Sequence, residues 1–205
     1  MLVVVDYDAG NLRSVARAVE FAGGTPVISA DPCVVRQARA LILPGVGSAA
    51  QAMDRLGQLG LDEAIRDAAA RGIPILGICL GLQVLLERSE EGGKAGTICL
   101  GILPGTVRRF PSGLKVPHMG WNTVALRRPT PLLKGIADHS YFYFVHSYYG
   151  DAPLDTVAGE TDYALPFCAV MVHDNVSATQ FHPEKSGPVG LRVYANFLQM
   201  AGVCT

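Results

Sequence analysis

The chain has 205 residues, enough for one substantial core, and residues 1–205 are read as one domain. A formal net charge of −1 leaves no electrostatic footprint for nucleic acid or an anionic membrane, and no apolar run approaches membrane-spanning length. Hydrophobic residues make up 49% and charged residues 17%, which fits an α/β protein whose sheet is covered on both faces. Leu2–Val5 does not alternate and is expected as a first strand buried on both faces; it is too short for a signal peptide, and Asp6 and Asp8 follow it directly. Residues 11–22 carry apolar Leu12, Val15, Ala16, Val19 and Ala22 near helical spacing, and Gly23-Gly24 closes that helix. Residues 25–29 and 40–43 are the next strands. The second of these runs into Pro44-Gly45-Val46-Gly47, and Ser48 then caps a helix bearing Ala49, Ala52, Met53 and Leu56. A helix over 61–70 ends at Gly72, and residues 73–78 form another strand.

From 101 to about 179 the strand-like segments lie close together, joined by Gly, Pro and Asp turns, which points to antiparallel pairing. Residues 187–200 form a closing helix with Leu191, Tyr194, Ala195 and Leu198 on one stripe. The expected fold is α/β: an open, mostly parallel twisted sheet flanked by helices, with antiparallel additions in the C-terminal half.

Chemistry concentrates in Gly77-Ile78-Cys79-Leu80-Gly81-Leu82-Gln83. A lone cysteine is by default a small core hydrophobe. Here a strand precedes it, glycines flank it and a helical segment over 82–88 follows, the layout of a nucleophile elbow. A helix N-terminus behind the sulfur favours thiolate. The cysteines at 33, 79, 99, 168 and 204 are scattered and odd in number, which argues against a disulfide framework and for a reducing cytoplasm. Cys33, Cys99, Cys168 and Cys204 lack the elbow setting and read as packing or surface thiols, and no cysteine pair has zinc-ligand spacing with histidine.

Downstream, Gln180-Phe181-His182-Pro183-Glu184 follows a strand-like 178–181, so His182 is expected at a strand end with Pro183 turning Glu184 to the same side. Glu184 then orients one imidazole nitrogen and leaves the other for the thiol. The Pro44–Gly47 turn lacks the longer glycine pattern of a phosphate loop; its functional reading is an oxyanion hole shared with the Leu80 amide. Residues 141–149 form an aromatic strand whose His146-Ser147 end can face a ligand. His118, His139 and His173 read as structural or surface groups. The single Trp121, in Lys115-Val116-Pro117-His118-Met119-Gly120-Trp121-Asn122, fits either a core anchor or an interface hot spot.

Together these motifs resemble the class I (triad) glutamine amidotransferases over essentially the whole chain. The elbow and the His-Pro-Glu segment are shared across that family. The Pro-Gly-Val-Gly turn and Pro-His-Met-Gly-Trp-Asn resemble a narrower branch of glutaminase subunits that pass ammonia to a (β/α)8-barrel cyclase closing an imidazole ring. The resemblance implies Cys79 as nucleophile, His182 as base and acid, and Glu184 as orienting partner. It implies an oxyanion hole at Gly45, Val46, Gly47 and Leu80, and glutamine contacts at Gln83, Glu91, Ser147 and Tyr148. Asn11, Trp121, Tyr143 and Lys185 match positions at the partner interface. No cofactor and no metal are implied. Asp8 stands where the resembled branch usually carries glycine. A glutaminase serving another pathway such as pyridoxal phosphate synthesis, a free-standing γ-glutamyl hydrolase and a catalytically silent interaction subunit are the competing readings.

Overall fold

The computed structural model describes residues 1–8, 10–93 and 95–203. Four short apolar segments build its centre: β1 (Leu2–Val5), β2 (Pro26–Ser29), β3 (Ala40–Leu43) and β4 (Ile75–Ile78), with α1 (Leu12–Phe21), α2 (Pro32–Arg36), α3 (Ala49–Gln58) and α4 (Leu61–Ala70) between them. β1 lies parallel between β2 and β3, and β3 pairs parallel with β4. The lack of alternation in these strands has a direct cause. Val3, Val5, Leu41, Leu43 and Ile75 pack with Leu56, Leu61 and Ile65 on one face, while Leu2, Val4, Ile42, Leu76 and Ile78 pack with Val15, Val19, Val193 and Phe197 on the other. Each such side chain, taken fully out of water, contributes roughly 1.5–3 kcal/mol before chain entropy is counted.

After β4 the chain turns into α5 (Leu80–Leu85) and then changes pairing. The strands are β5 (Arg88–Ser89), β6 (Thr97–Ile98), β7 (Thr106–Arg109), β8 (His118–Leu126), β9 (Ser140–His146), β10 (Tyr148–Asp151), β11 (Val157–Asp162), β12 (Pro166–His173) and β13 (Val176–Thr179), followed by α6 (Gly187–Ala201). β13 returns to the centre and pairs parallel with β4, whereas its other neighbour β12 is antiparallel. Beyond β12 lie β10, β7, β5 and β6, and β8, β9 and β11 form an antiparallel flank. The expected fold class is thus the observed one, with helices on both faces of a parallel core. Among the described residues no helix is long and apolar enough to cross a membrane.

Several local expectations are corrected. The helix after the elbow begins at Leu80 and stops at Leu85, because Leu86 is extended and Arg88–Ser89 joins the sheet. Ser48 occupies the cap position of α3 without a side-chain cap; the Glu91 carboxylate takes the Ala49 N–H instead, at 2.6 Å. On α6 the buried face is Gly190, Val193, Tyr194, Phe197 and Leu198, so Leu191 and Ala195 sit at its half-buried margin rather than on it. The short α2 was not expected, although Asp31 caps it through the Cys33 N–H at 2.8 Å and Pro32 opens it.

Candidate active site

Cys79 is held at φ 54°, ψ −104°, a conformation rare for a residue with a side chain and characteristic of a sharp strand-to-helix bend. Its N–H donates to the Thr179 carbonyl at 2.7 Å, tying the bend to β13. The flanking glycines are required by close approach. A Cβ at Gly81 would fall on the Leu43 carbonyl oxygen, and one at Gly77 would lie 2.9 Å from the Gly81 backbone. As the first residue of α5, Leu80 has an N–H with no intrahelical acceptor, as an oxyanion donor requires.

The β4–β13 pairing matches Thr179 with Ile78, so the segment after β13 emerges beside Cys79. His182 N–H donates to the Tyr143 carbonyl at 2.9 Å, and Phe181 stacks on Phe142 with ring centroids 3.9 Å apart. His182 Nδ1 bonds Glu184 Oε1 at 2.8 Å, and both side chains are buried. Glu184 is also gripped by two side chains the motif did not reveal in this role: Asn11 Nδ2 donates to Oε1, and the Tyr194 hydroxyl donates to Oε2 at 3.3 Å. His182 Nε2 is buried and makes no hydrogen bond of ordinary geometry to a described residue. Burial alone would push the His182 pKa down, but the neighbouring Cys79 and the Glu184 carboxylate bonded at Nδ1 outweigh it and raise it to about 9. The Cys79 thiol donates to the Val145 carbonyl at 3.8 Å and accepts from Gln180 Nε2 at 3.7 Å.

A cleft of about 460 Å³ opens over the sulfur, lined by Val46, Gly47, Cys79, Leu80, Gln83, Glu91, Ser147 and Tyr148 among others. All the expected oxyanion and glutamine-contact residues except Gly45 line it; Gly45 lies behind, where a Cβ would meet the Tyr7 hydroxyl and lie 3.0 Å from Leu80 Cβ. Tyr7 donates from its buried hydroxyl to the Pro44 carbonyl at 2.6 Å and braces the turn. Gly47 has φ 108° with open space where a Cβ would stand. Gln83 Nε2 donates to the Tyr148 carbonyl at 3.0 Å and to Gln180 Oε1 at 3.3 Å, linking the pocket wall to the sulfur's neighbour. Glu91 lines the cleft while one carboxylate oxygen is committed to α3.

Trp121, Tyr143 and Lys185 form one cluster: Trp121 meets Tyr143 edge to face at 6.1 Å, and the Lys185 ammonium lies 5.8 Å from the Tyr143 ring centre. Met119, Trp121 and Tyr141 are more than half exposed on the same hairpin. Asn11 lies beside this cluster, half-buried, with its side chain donating to Glu184, the neighbour of Lys185. Asp8 has φ 62°, the left-handed region in which glycine costs nothing, and its carboxylate accepts from Arg55 Nε at 2.6 Å. Cys33 is exposed; Cys99 and Cys168 are buried packing thiols whose pKa values burial raises to about 11 and about 12. Cys204 lies outside the described residues. His139 and His173 are exposed and His118 is buried.

The glutamine amidotransferase class-I family model matches residues 3–201. Imidazole glycerol phosphate synthase subunit HisH of Dehalococcoides mccartyi strain CBDB1 is 49% identical over 202 residues, 98% of each chain. The same-named subunit of Methanothermobacter thermautotrophicus is 47% identical over 200 residues, again 98% of each chain. A solved glutamine amidotransferase superposes with TM-score 0.78 at 20% identity over 98% of this chain and 99% of its own, and PurLQS from Thermotoga maritima with 0.75 at 21% over 97% of each; these show the fold. The chain belongs to the class-I glutamine amidotransferases and, within them, to the family of imidazole glycerol phosphate synthase subunit HisH.

Proposed function

We propose that the chain, acting as one domain over residues 1–205, is the cytoplasmic glutaminase subunit of imidazole glycerol phosphate synthase in histidine biosynthesis and passes ammonia to a (β/α)8-barrel cyclase. The observation that carries this reading is the buried His182: Nδ1 is fixed by Glu184, and Nε2 is left unengaged beside a cysteine on a strained bend under an open cleft. An unperturbed thiol, with pKa about 8.5, is mostly protonated at neutral pH, so a base must take its proton. His182 Nε2 takes it and holds it as imidazolium, the form that its neighbours Cys79 and Glu184 favour. The sulfur then attacks the glutamine side-chain carbonyl, and the oxygen gathers negative charge against the Leu80 N–H and the peptide around Val46 and Gly47. One such donor is worth about 3 kcal/mol in the transition state. As the tetrahedral adduct collapses, the C–N bond breaks and His182 returns the proton to the leaving nitrogen. Ammonia departs and a thioester remains. Water, giving a proton to His182, then releases glutamate and restores the thiol.

Gln83, Glu91, Ser147 and Tyr148 hold the substrate's polar groups at the cleft wall, and Asn11, Trp121, Tyr143 and Lys185 lie at or near the partner interface. Ammonia delivered through a dry interface stays unprotonated and nucleophilic, which is the physical reason for pairing the subunit with a synthase. The Val46–Gly47 peptide is the movable element of the oxyanion hole, since glycine at 47 tolerates either orientation. Gly47→Ala meets no atom but is strained at φ 108°, so it biases the peptide away from the observed orientation, and unchanged stimulation by the loaded partner would count against this reading.

The decisive measurement is glutamate release from glutamine by the purified chain, alone and with the barrel synthase and its nucleotide ligand. Low activity alone and strong stimulation in the loaded complex are expected. High activity indifferent to the partner would point to another pathway or a free-standing γ-glutamyl hydrolase.

A further inference from the structure

Two buried histidines outside the triad form a hydrogen-bonded pair in an aromatic pocket. His118 stacks on Tyr163 with ring centroids 4.2 Å apart and on Phe144 at 5.1 Å, and His146 lies 5.3 Å from Phe110. Phenylalanine would fill such a space without needing partners. Here every ring nitrogen of the pair has one: His118 Nε2 meets Asn122 Nδ2 at 3.3 Å, His118 Nδ1 meets His146 Nε2 at 3.0 Å, and His146 Nδ1 meets the Tyr148 carbonyl at 2.7 Å.

The direction of this chain is fixed from both ends. A carbonyl only accepts, so His146 Nδ1 carries a hydrogen. At the other end, the Asn122 amide is oriented by two backbone groups: Nδ2 donates to the Asp162 carbonyl at 2.9 Å and Oδ1 accepts the Thr123 N–H at 2.8 Å. Asn122 therefore presents a donor to His118 Nε2, which must accept, and His118 Nδ1 must carry the hydrogen that reaches His146 Nε2. A second proton on either ring would set donor against donor. Burial acts in the same sense, pushing the His118 pKa down to about 4 and that of His146 to about 3, with the neighbouring His118 and His182 charges adding to the shift at His146.

The Tyr148 carbonyl at the end of the chain also accepts from Gln83 Nε2, so His146 and Gln83 together fix the Tyr148–Tyr149 peptide, and with it the Ser147–Tyr148 segment, at the cleft wall. We propose that His118 and His146 are positioning residues for the glutamine pocket: two neutral Nδ1–H imidazoles in series that hold the Ser147–Tyr148 segment in place from the partner-facing strand β8. This rests on the glutaminase reading for the identity of the ligand, while the tautomers follow from the hydrogen bonds alone. With both nitrogens engaged, His146 cannot compete with His182 for the thiol proton, although it lines the same cleft.

The first test is 15N NMR of the full labelled chain. Both rings are expected to be protonated at Nδ1 only, the less common tautomer in water, and to show no titration between about pH 5 and pH 8. An Nε2–H ring at either position, or titration of either in that range, would overturn the proposal. The second test is glutaminase kinetics in the loaded complex. His146→Phe keeps the ring and deletes both bonds; it should raise KM for glutamine about 10-fold and leave kcat within about 3-fold. His146→Asn, whose amide nitrogen can replace Nδ1 as donor to Tyr148, should recover much of the loss. A fall in kcat at unchanged KM, or no advantage of Asn over Phe, would refute the positioning role. Absence of glutaminase activity in the unaltered complex would instead overturn the functional reading, and the NMR result would still decide the tautomers.

Discussion

Replacing Glu184 by Gln separates charge from shape at a carboxylate whose side chain is shut off from water. The introduced amide oxygen can still accept from His182 Nδ1 and Asn11, and the Tyr194 hydroxyl can turn to accept from the new amide nitrogen, so the geometry has every means to persist. The charge does not persist. His182 stands at about 9 against an ordinary 6.5 because Cys79 and Glu184 together overcome burial, a balance on the order of 3 kcal/mol in favour of imidazolium. With the carboxylate at 184 gone, burial remains and one of the two opposing contributions is lost. The pKa of His182 should therefore fall, and the alkaline limb of glutaminase activity, where the acid that protonates leaving ammonia is lost, should move down by about one pH unit or more. Activity near pH 8 should drop about 10- to 100-fold with KM nearly unchanged. The stability linkage has the same sign. A raised folded-state pKa contributes stability fully present below about 6.5 and lost as pH rises through about 9, so the unaltered chain should lose part of its urea resistance across that window and Glu184→Gln should lose less. Glutamate release followed against pH in the loaded complex, with urea midpoints at both ends of the window, measures each effect. An alkaline limb that stays in place with a rate within about 3-fold of the unaltered enzyme would refute the orienting and charge role of Glu184.

Cys79→Ser should abolish glutamate release while the complex still makes imidazole product from added ammonia; loss of both reactions would show that the substitution damages more than the nucleophile. Tyr7→Phe strands the buried Pro44 carbonyl and should lower unfolding free energy by about 1–2 kcal/mol in urea, whereas an unchanged midpoint would remove Tyr7 from the bracing of the oxyanion turn. Gly81→Ala drives a methyl into the Leu43 carbonyl and should cost on the order of 3 kcal/mol, while Gly57→Ala, in α3 with nothing nearby, should gain about 0.5–1 kcal/mol. Equal urea midpoints for the two variants would contradict the close-approach explanation.

What the sequence made legible was whatever depends on short-range order. The strands of the parallel core announced themselves by unbroken apolar runs, the elbow by glycines on either side of Cys79, and the His182–Glu184 pair by the proline between them. Contacts between side chains far apart in sequence left no such signature. Asn11 and Glu184 are separated by 173 positions and Gln180 and Cys79 by 101, yet both bonds sit inside the active site. Gln180 did offer a hint, since a buried amide directly after a strand and two positions before His182 needs a partner. The capping of α3 shows the same limit from the structural side. Ser48 has the right residue type at the right position, but Glu91, 42 residues away from Ala49, supplies the acceptor.

The coupling between fold and chemistry comes down to the insertion of β13 next to β4. The parallel half of the chain supplies Cys79 and the Pro44–Gly47 turn, and the antiparallel half supplies His182, Glu184 and the Ser147–Tyr148 wall of the cleft. These halves meet at the register that sets Thr179 opposite Ile78, which the Cys79 N–H to Thr179 carbonyl bond extends by one step. All four β13 residues are buried, so a slip of one residue would exchange Ala178, part of the core face that also holds Leu43 and Leu82, for a neighbouring hydroxyl and move Gln180 and His182 off the sulfur together. Active-site geometry and core packing are thus set by the same register, and a change that loosens the β4–β13 pairing should cost activity and stability in step rather than one before the other.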